Sequence, residues 1–192
     1  SYALQPEKVA EWEAFKKSPI YAQQVAQKMA IHQLEYLFRS FSYVGWNLTK
    51  PYFASKKVRQ ALTMAIDRRR IIQQNMNNMA VEVHGTFFIK SDATDPNITP
   101  WPFDPLTAKK VLEEEGWYDS DGDGIIDKEI DGKRVPFSFT LTYYVKNQIT
   151  KSIVEYISTA LKEIGIDCRL DGIDLADLTA KLDDKNFDAY FL

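Results

Sequence analysis

The residues best suited to chemistry are four aspartates that recur at short intervals in one loop. Asp119, Asp121 and Asp123 alternate before Gly124, and Asp127 follows three residues later. This order is typical of the first half of an EF-hand calcium loop, in which Asp127 takes the ninth position. The twelfth position needs a bidentate glutamate and here holds Ile130, so the calcium signal is incomplete.

Two interpretations of this loop stay open. In the first, the four carboxylates hold a structural calcium ion weakly, because one strong ligand is missing. In the second, which we favour, the loop is a tight Asp/Gly turn whose side chains bond to their own backbone. A calcium-dependent interaction module built on residues 119–127 is therefore carried forward as the alternative function, and calcium titration would separate it from other functions.

No other group of residues indicates catalysis. The two histidines, His32 and His84, are far apart in unrelated contexts, and Cys168 is the single cysteine. One cysteine can form neither an internal disulfide nor a thiolate metal cluster. The sequence also lacks a G-x-S-x-G motif and a glycine-rich phosphate loop. We therefore predict that the chain is not an enzyme and needs no cofactor.

Composition excludes two further classes of partner. The 192 residues carry 24 Lys and Arg against 27 Asp and Glu, for a net charge of −3, and nucleic-acid binders need a concentrated positive field. No apolar run approaches the roughly 20 residues that span a bilayer. The first residues show neither the basic start nor the apolar core of a signal sequence, so none is expected in this chain.

Residues 41–76 are predicted to form a strand and two helices, which would help to position a site. The aromatic and β-branched run from Phe41 to Trp46 predicts a strand, which Pro51 ends. Ser55 and Asp67 are expected to cap two helices in series. The first helix has an apolar face spaced by threes and fours, formed by Val58, Ala61, Leu62, Ala65 and Ile66.

Residues 104–192 are predicted to form an α/β unit. Asp104, Pro105 and Gly116 mark the cap, first turn and end of one helix. Strands are predicted over 137–145, 166–170 and from 187, with helices over 148–164 and after Asp174 between them. Because parallel strands are joined by right-handed crossovers, this order predicts a partly parallel sheet.

The remaining segments are less regular. Residues 4–18 predict a helix closed by Pro19. Residues 20–37 suit a long hairpin that pairs with 41–48 around Arg39 and Ser40. Residues 77–102 predict a long surface loop with one short extended piece at 86–89, and loops of that length are often functional or connect subdomains.

Three stretches resemble one known family in its order and spacing. They are G-W-N followed by V-R-Q-A-L-T-M-A-I-D-R, then F-D-P-L-T-A-K-K-V-L-E-E-E-G-W, then L-K-E-I-G-I-D with F-D-A-Y-F-L. Together they cover about residues 41–192 and resemble the family 5 extracellular solute-binding proteins, the oligopeptide- and dipeptide-binding type of ABC importers. Glu115 replaces the small residue usual in the second stretch, which suggests a more exposed last turn.

The resemblance implies a type II periplasmic-binding-protein-like fold, with a mixed sheet flanked by helices in each of two lobes. Residues 1–192 would be most of the second, C-terminal lobe, without the first lobe and with the export signal upstream. Such proteins capture oligopeptides by lobe closure outside the cytoplasmic membrane, in the periplasm or attached to the membrane as lipoproteins, and deliver them to a permease. Nickel chelate, heme or sugar are alternative ligands on the same fold.

The resemblance also places several residues on the cleft wall. These positions are Gly45, Trp46, Asn47, Tyr144, Leu175 and Phe191. Ordinary core and hinge packing is the competing interpretation, and we favour it for Trp46, Asn47 and Leu175. The aspartate that holds the amino terminus of the peptide in the family has no counterpart in this sequence.

Overall fold

The computed structural model describes residues 4–29, 36–95 and 97–192. A 3-10 turn at Pro6–Lys8 precedes the first helix. The helices are α1 (Val9–Lys16), α2 (Pro19–Ala26), α3 (Lys56–Met64), α4 (Arg68–Asn75), α5 (Pro105–Glu114), α6 (Gln148–Lys162) and α7 (Leu175–Asp183). The strands are β1 (Val44–Trp46), β2 (Asp127–Ile130), β3 (Lys133–Pro136), β4 (Ser138–Tyr144), β5 (Asp167–Ile173) and β6 (Ala189–Phe191).

The main sheet has the order β1-β6-β4-β5, and β2 and β3 form a separate hairpin. Strand β4 is parallel to both β5 and β6, whereas β1 is antiparallel to β6. The predicted mixed sheet and the partly parallel unit over residues 137–192 are therefore confirmed.

Helices cover the two faces of this sheet. Phe139, Leu141 and Tyr143 alternate along β4 and are buried with Ile157 and Leu161 of α6. The chain leaves β4 toward β5 and later returns across β4 to β6, so right-handed connections place α6 and α7 on opposite faces. On the second face, α7 packs against β4 and buries Leu178.

Three helix starts follow from local sequence. The carboxylates of Asp67 and Asp104 accept hydrogen bonds from the amides of Arg70, at 3.0 Å, and Thr107, at 2.9 Å. Asn147 caps α6 in the same way, through the amide of Thr150 at 3.0 Å. These bonds satisfy amides that have no partner inside the helix.

None of the helices in the described ranges is long and apolar enough to cross a membrane.

The hairpin predicted for residues 20–37 is wrong where the structure describes it. Pro19–Ala26 is a helix, because Ser18 accepts a hydrogen bond from the amide of Tyr21 and Pro19 fits the first helical position. Residues 30–35 of that prediction lie outside the described residues, and 36–43 contain no strand. The extended piece predicted at 86–89 is also absent, since none of these four residues belongs to a strand.

Two residues predicted as helix caps do precede their helices, but their side chains do not bond to the helix amides. Ser55 precedes α3, yet its hydroxyl donates to Glu115 Oε2 at 2.6 Å. Asp174 precedes α7, yet its carboxylate pairs with Lys146. A more exposed last turn was expected from Glu115. Glu113 and Glu114 in the last turn of α5 are exposed, but the side chain of Glu115 itself is only 20% exposed and faces Ser55 and Lys57.

Candidate functional site

The candidate site lies at the edge of the main sheet where the three parallel strands end. Residues Tyr144 of β4 and Ile173 of β5 are paired, and the amide of Val145 donates to the carbonyl of Ile173 at 3.0 Å. On the other side of β4, the antiparallel strand β1 begins beside the end of β6. There Tyr43 and Leu192 exchange two backbone hydrogen bonds, of 2.7 and 3.2 Å.

This edge is a topological switch point. The connection from β4 runs to one side, and the connection from β5 runs back to the other side of β4. Helices α6 and α7 therefore start at this edge on opposite faces of the sheet, and we use the term crevice for the space between their first turns. In open α/β sheets, ligands bind in such a crevice at the carboxyl ends of the strands.

The same end of the sheet carries an apolar rim. We use this name for five side chains that are 40–57% exposed although they are large and apolar: Phe41, Tyr43, Val145, Leu175 and Leu192. They come from four separate stretches of the chain that the sheet brings to one edge. Clustered exposed apolar side chains mark a surface that a ligand or partner covers.

One ion pair crosses the same edge. Lys146 Nζ lies 2.8 Å from Asp174 Oδ1, and each residue follows the end of a parallel strand. The hydrogen bond to Asp174 and its negative charge raise the pKa of Lys146. Because Asp174 turns toward Lys146, its side chain makes no capping bond to α7.

The structure brings only part of the predicted cleft wall to this edge. Tyr144 ends β4 there and is half-buried, and Leu175 opens α7 and is exposed. The backbone of Phe191 also lies at this edge, but its side chain is buried in the core beside Tyr143, its register partner on β4. Gly45 lies in the middle of β1, under the ring of Tyr190.

Trp46 and Asn47 lie at the opposite end of β1. Trp46 packs on Phe53 and Phe139, with ring centroids 4.8 and 5.9 Å apart. Asn47 is 8% exposed. Its amide group donates to the carbonyl of Phe187 at 2.8 Å and accepts from the hydroxyl of Thr49 at 2.7 Å. These contacts are those of core packing and of a turn.

The sequence analysis missed Val145, Lys146 and Asp174 as site residues. Only Lys146 directly follows a predicted strand, since Val145 was placed inside the strand over 137–145 and Asp174 was predicted as a helix cap. What the sequence did not show is that the two loops meet, since Lys146 and Asp174 belong to different strand–helix units.

The acidic loop has the geometry of an Asp/Gly turn. The Asp119 carboxylate accepts hydrogen bonds from the amides of Gly122 and Gly124, at 2.7 and 3.0 Å, and these bonds lower its pKa. Asp123 accepts from the amide of Ile125 at 2.7 Å. The loop is thus held by its own backbone, as the favoured interpretation expects.

Oxygens of only three of the predicted calcium ligands come within 4.8 Å of one another, namely those of Asp119, Asp121 and Asp127. Asp127 is buried and accepts from the Ser120 hydroxyl at 2.7 Å. The guanidinium of Arg134 lies 3.3 Å from Asp121 and 3.6 Å from Asp127. This group therefore fits a calcium ion poorly, since Arg134 already supplies the positive charge and Asp123 faces its own backbone.

A depression of about 430 Å³ lies on the α7 face of the sheet, and none of the five rim residues lines it. Its acidic groups are already paired. Asp188 bonds Lys50 at 2.8 Å and Asp171 bonds Lys181 at 2.6 Å. Asp188 also accepts from the amide of Thr140 at 3.0 Å, which ties β6 to β4. These contacts tie β6 and α7 to the sheet, and we take the crevice as the candidate site because ligands of open α/β sheets bind at the switch point.

Comparison with known proteins gives one consistent family. The family described as bacterial extracellular solute-binding proteins, family 5 Middle, matches residues 9–192. The oligopeptide-binding protein AppA of Bacillus subtilis is 34% identical over 154 residues, which cover 78% of this chain and 27% of AppA. The glutathione-binding protein GsiB of Salmonella choleraesuis is 27% identical over 143 residues, covering 74% of this chain and 25% of GsiB.

Solved structures agree with the sequences. The structure of Bacillus subtilis AppA in complex with a nonapeptide superposes with a TM-score of 0.69 at 33% identity, over 79% of this chain and 30% of AppA. NikA of Brucella suis, in complex with Fe(III)-EDTA, gives a TM-score of 0.70 at 25% identity over the same shares. The chain thus spans about a quarter of the length of the curated relatives that it matches.

Proposed function

This chain belongs to family 5 of the bacterial extracellular solute-binding proteins, and we propose that it forms one wall of a cleft that captures oligopeptides. The type II periplasmic-binding-protein-like fold predicted from the sequence is confirmed by the structural neighbours. The family is one of binding proteins, which also confirms the prediction that the chain is not an enzyme.

The observation that carries this proposal is the apolar rim at the switch point of the sheet. Its five side chains are exposed although a folded protein gains free energy by burying such groups. A wall that is covered only when a ligand binds and a facing lobe closes would keep them exposed in isolation. Ligand contacts would then stabilise the closed state over the open one.

Oligopeptides are the ligand class that the relatives favour. AppA, described as an oligopeptide-binding protein, is more similar in sequence to this chain than GsiB or NikA are. A peptide binder without sequence preference should contact the peptide backbone by hydrogen bonds and leave roomy apolar space for its side chains. Glutathione and a metal chelate, bound by GsiB and NikA, are the alternative classes to test.

The proposal includes two partners. Residues 1–192 would act as the second, C-terminal lobe and face a first lobe of the same protein across the cleft. The loaded protein would then deliver its peptide to the membrane subunits of an ABC importer from outside the cytoplasmic membrane. The chain without a facing lobe should bind peptides weakly and should self-associate through the apolar rim.

Peptide capture tests the proposal. The intact protein would be incubated with a randomised peptide pool, washed and analysed by mass spectrometry, and retained peptides would be titrated by calorimetry. We expect saturable binding of several unrelated peptides. Retention of no peptide, together with binding of glutathione or of Fe(III)-EDTA, would contradict the proposed ligand class and leave the family assignment unchanged.

A further inference from the structure

The outer side of β5 is an open strand edge. Strand β5 lies last in the main sheet, and no strand within the described residues pairs with its outer side. The strand runs for seven residues, from Asp167 to Ile173. An edge of this kind presents a row of backbone donors and acceptors to which a further strand of suitable charge can bind.

The hydrogen bonds to β4 show which backbone groups of β5 point outward. The amide of Asp167 donates to the carbonyl of Phe137 at 3.0 Å, and the carbonyl of Ile173 accepts from the amide of Val145 at 3.0 Å. Asp167 and Ile173 therefore direct their backbone groups toward β4. Because successive residues of a strand direct these groups to opposite sides, the odd-numbered residues of β5 bond to β4 and the even-numbered residues face outward.

The even-numbered residues are Cys168, Leu170 and Gly172. The carbonyl of Cys168 accepts from the hydroxyl of Ser158 at 2.6 Å, and its second lone pair can accept another bond. In an antiparallel ladder, alternate pairs of opposite residues exchange both of their backbone bonds. Two copies of β5 meet this requirement when Leu170 lies opposite Leu170 of the second copy and Gly172 lies opposite Cys168.

The charged side chains select this register. Arg169 and Asp171 project to the same face of the sheet, since they are two residues apart, and Asp171 bonds Lys181 of α7 on that face at 2.6 Å. With Leu170 on the two-fold axis, each Arg169 lies opposite Asp171 of the other copy, in the type of pair that brings side chains closest. A shift of two residues in either direction would place Arg169 opposite Arg169 or Asp171 opposite Asp171, which is unfavourable.

We propose that β5 is a self-association edge, at which the four-stranded sheets of two copies join into one continuous sheet. Two Arg169–Asp171 ion pairs and a Leu170–Leu170 contact would hold the dimer. Arg169 is 63% exposed and Leu170 is 36% exposed in the single chain, so both are accessible. Charges on an edge strand usually prevent pairing, but here their alternating sign favours one antiparallel register. The proposal does not depend on peptide capture.

Charge exchange tests this surface. Sedimentation of the intact protein between about 1 μM and 1 mM, the range of weak association, would measure the dimer dissociation constant. The natural chain would be compared with Arg169→Asp, with Asp171→Arg and with the double variant that exchanges the two charges. Arg69→Asp on α4 is the control, because Arg69 is 86% exposed and the variant makes the same change of charge outside β5.

We expect the natural chain and the control to dimerise alike. Each single variant creates two like-charge pairs by symmetry and should raise the dissociation constant about tenfold or more. The double variant restores opposite charges and should dimerise more tightly than either single variant. Absence of a dimer of the natural chain up to about 1 mM would overturn the proposal.

Hydrogen exchange would locate the contact. The amides of Leu170 and Gly172 point to the outer edge and should gain protection at the higher protein concentration, whereas the amide of Asp171 already faces β4 and should not change. A dimer that is insensitive to all charge variants and leaves the Leu170 and Gly172 amides unprotected would contradict the proposal, because association would then involve another surface such as the apolar rim.

Discussion

The ring of Tyr190 lies directly over Gly45 of the neighbouring strand, so that a Cβ atom on Gly45 would overlap the ring carbon Cζ. The ring is held from two sides. Its hydroxyl lies 3.4 Å from the hydroxyl of Tyr43, and its centroid lies 5.1 Å from that of Phe187. Gly45 was predicted as a cleft residue by resemblance, and the structure shows that its lack of a side chain makes room for Tyr190.

Replacing Gly45 by alanine should therefore displace Tyr190. The added methyl group forces the ring away from Tyr43 and Phe187, and overpacking of this kind costs about 1–3 kcal/mol. Urea unfolding would measure the loss in the free energy of unfolding. Gly85→Ala serves as the control, because nothing lies within 4 Å of a Cβ at that position, and it should change stability by less than about 0.5 kcal/mol.

A double variant separates the overlap from other effects of alanine at position 45. In Tyr190→Ala the ring is gone, so adding Gly45→Ala should cost almost nothing further. Additive losses in the double variant would show that the overlap is not the cause.

The two leucines of α7 should respond differently to truncation. Leu178 is 1% exposed in the core, and Leu178→Ala should lower the free energy of unfolding by about 2–5 kcal/mol. Leu175 is 57% exposed on the apolar rim, and Leu175→Ala should leave stability within about 0.5 kcal/mol. Calorimetry with a retained peptide should show that Leu175→Ala lowers affinity roughly tenfold. An unchanged affinity would argue that the rim does not contact the ligand.

The single cysteine gives a prediction about pH. Burial raises the pKa of the Cys168 thiol to about 12, with a further contribution from the charge of Asp167. Between about pH 9 and 12, the folded chain keeps a proton that the unfolded chain loses. The free energy of unfolding should therefore fall as pH rises through this range, by about 1.4 kcal/mol per pH unit from this group.

The measurement is the difference between the natural chain and Cys168→Ala. Both chains share the titrations of lysine and tyrosine, so only the natural chain should show the additional slope above about pH 9. At neutral pH, the thiol should react with a disulfide reagent far more slowly in the folded chain than in urea. Equal reactivity in both states would contradict the burial of Cys168.

Calcium should not stabilise the acidic loop. The carboxylates of Asp119 and Asp123 already bond to backbone amides, and Ile130 stands where a bidentate ligand is needed. We expect no saturable rise in Tm up to about 1 mM calcium, the range of weak extracellular sites, and no fall in Tm with a chelator. A saturable rise that is lost in Asp119→Asn would reverse this interpretation and restore the calcium-dependent alternative.

Local sequence signals account for most of the fold. The apolar spacing from Ile153 to Leu161 and the glycine at 165, which has a φ of 82°, define α6 and its end. The alternation of Phe139, Leu141 and Tyr143 defines β4. The error at residues 20–26 arose because Ser18 and Pro19, a strong helix start, were interpreted only as the end of the preceding helix.

The sequence did not reveal contacts that join distant segments. The positions of Ser55 and Asp174 before helices were predicted correctly. Their side chains do not bond to the helix amides. They bond instead to Glu115 and Lys146, which lie 60 and 28 residues away in the sequence. The apolar rim could not be predicted for the same reason, since its members meet only once the sheet order is known.

Hydrogen exchange on the intact protein, with and without a retained peptide, tests the central claim most directly. The proposed wall predicts peptide-dependent protection of the backbone amides at 145–147, 173–176 and 191–192, and no change at Trp46 or Asn47 at the far end of β1. Protection confined to other segments, with these three unchanged while peptide is bound, would contradict the claim that this edge of the sheet holds the ligand.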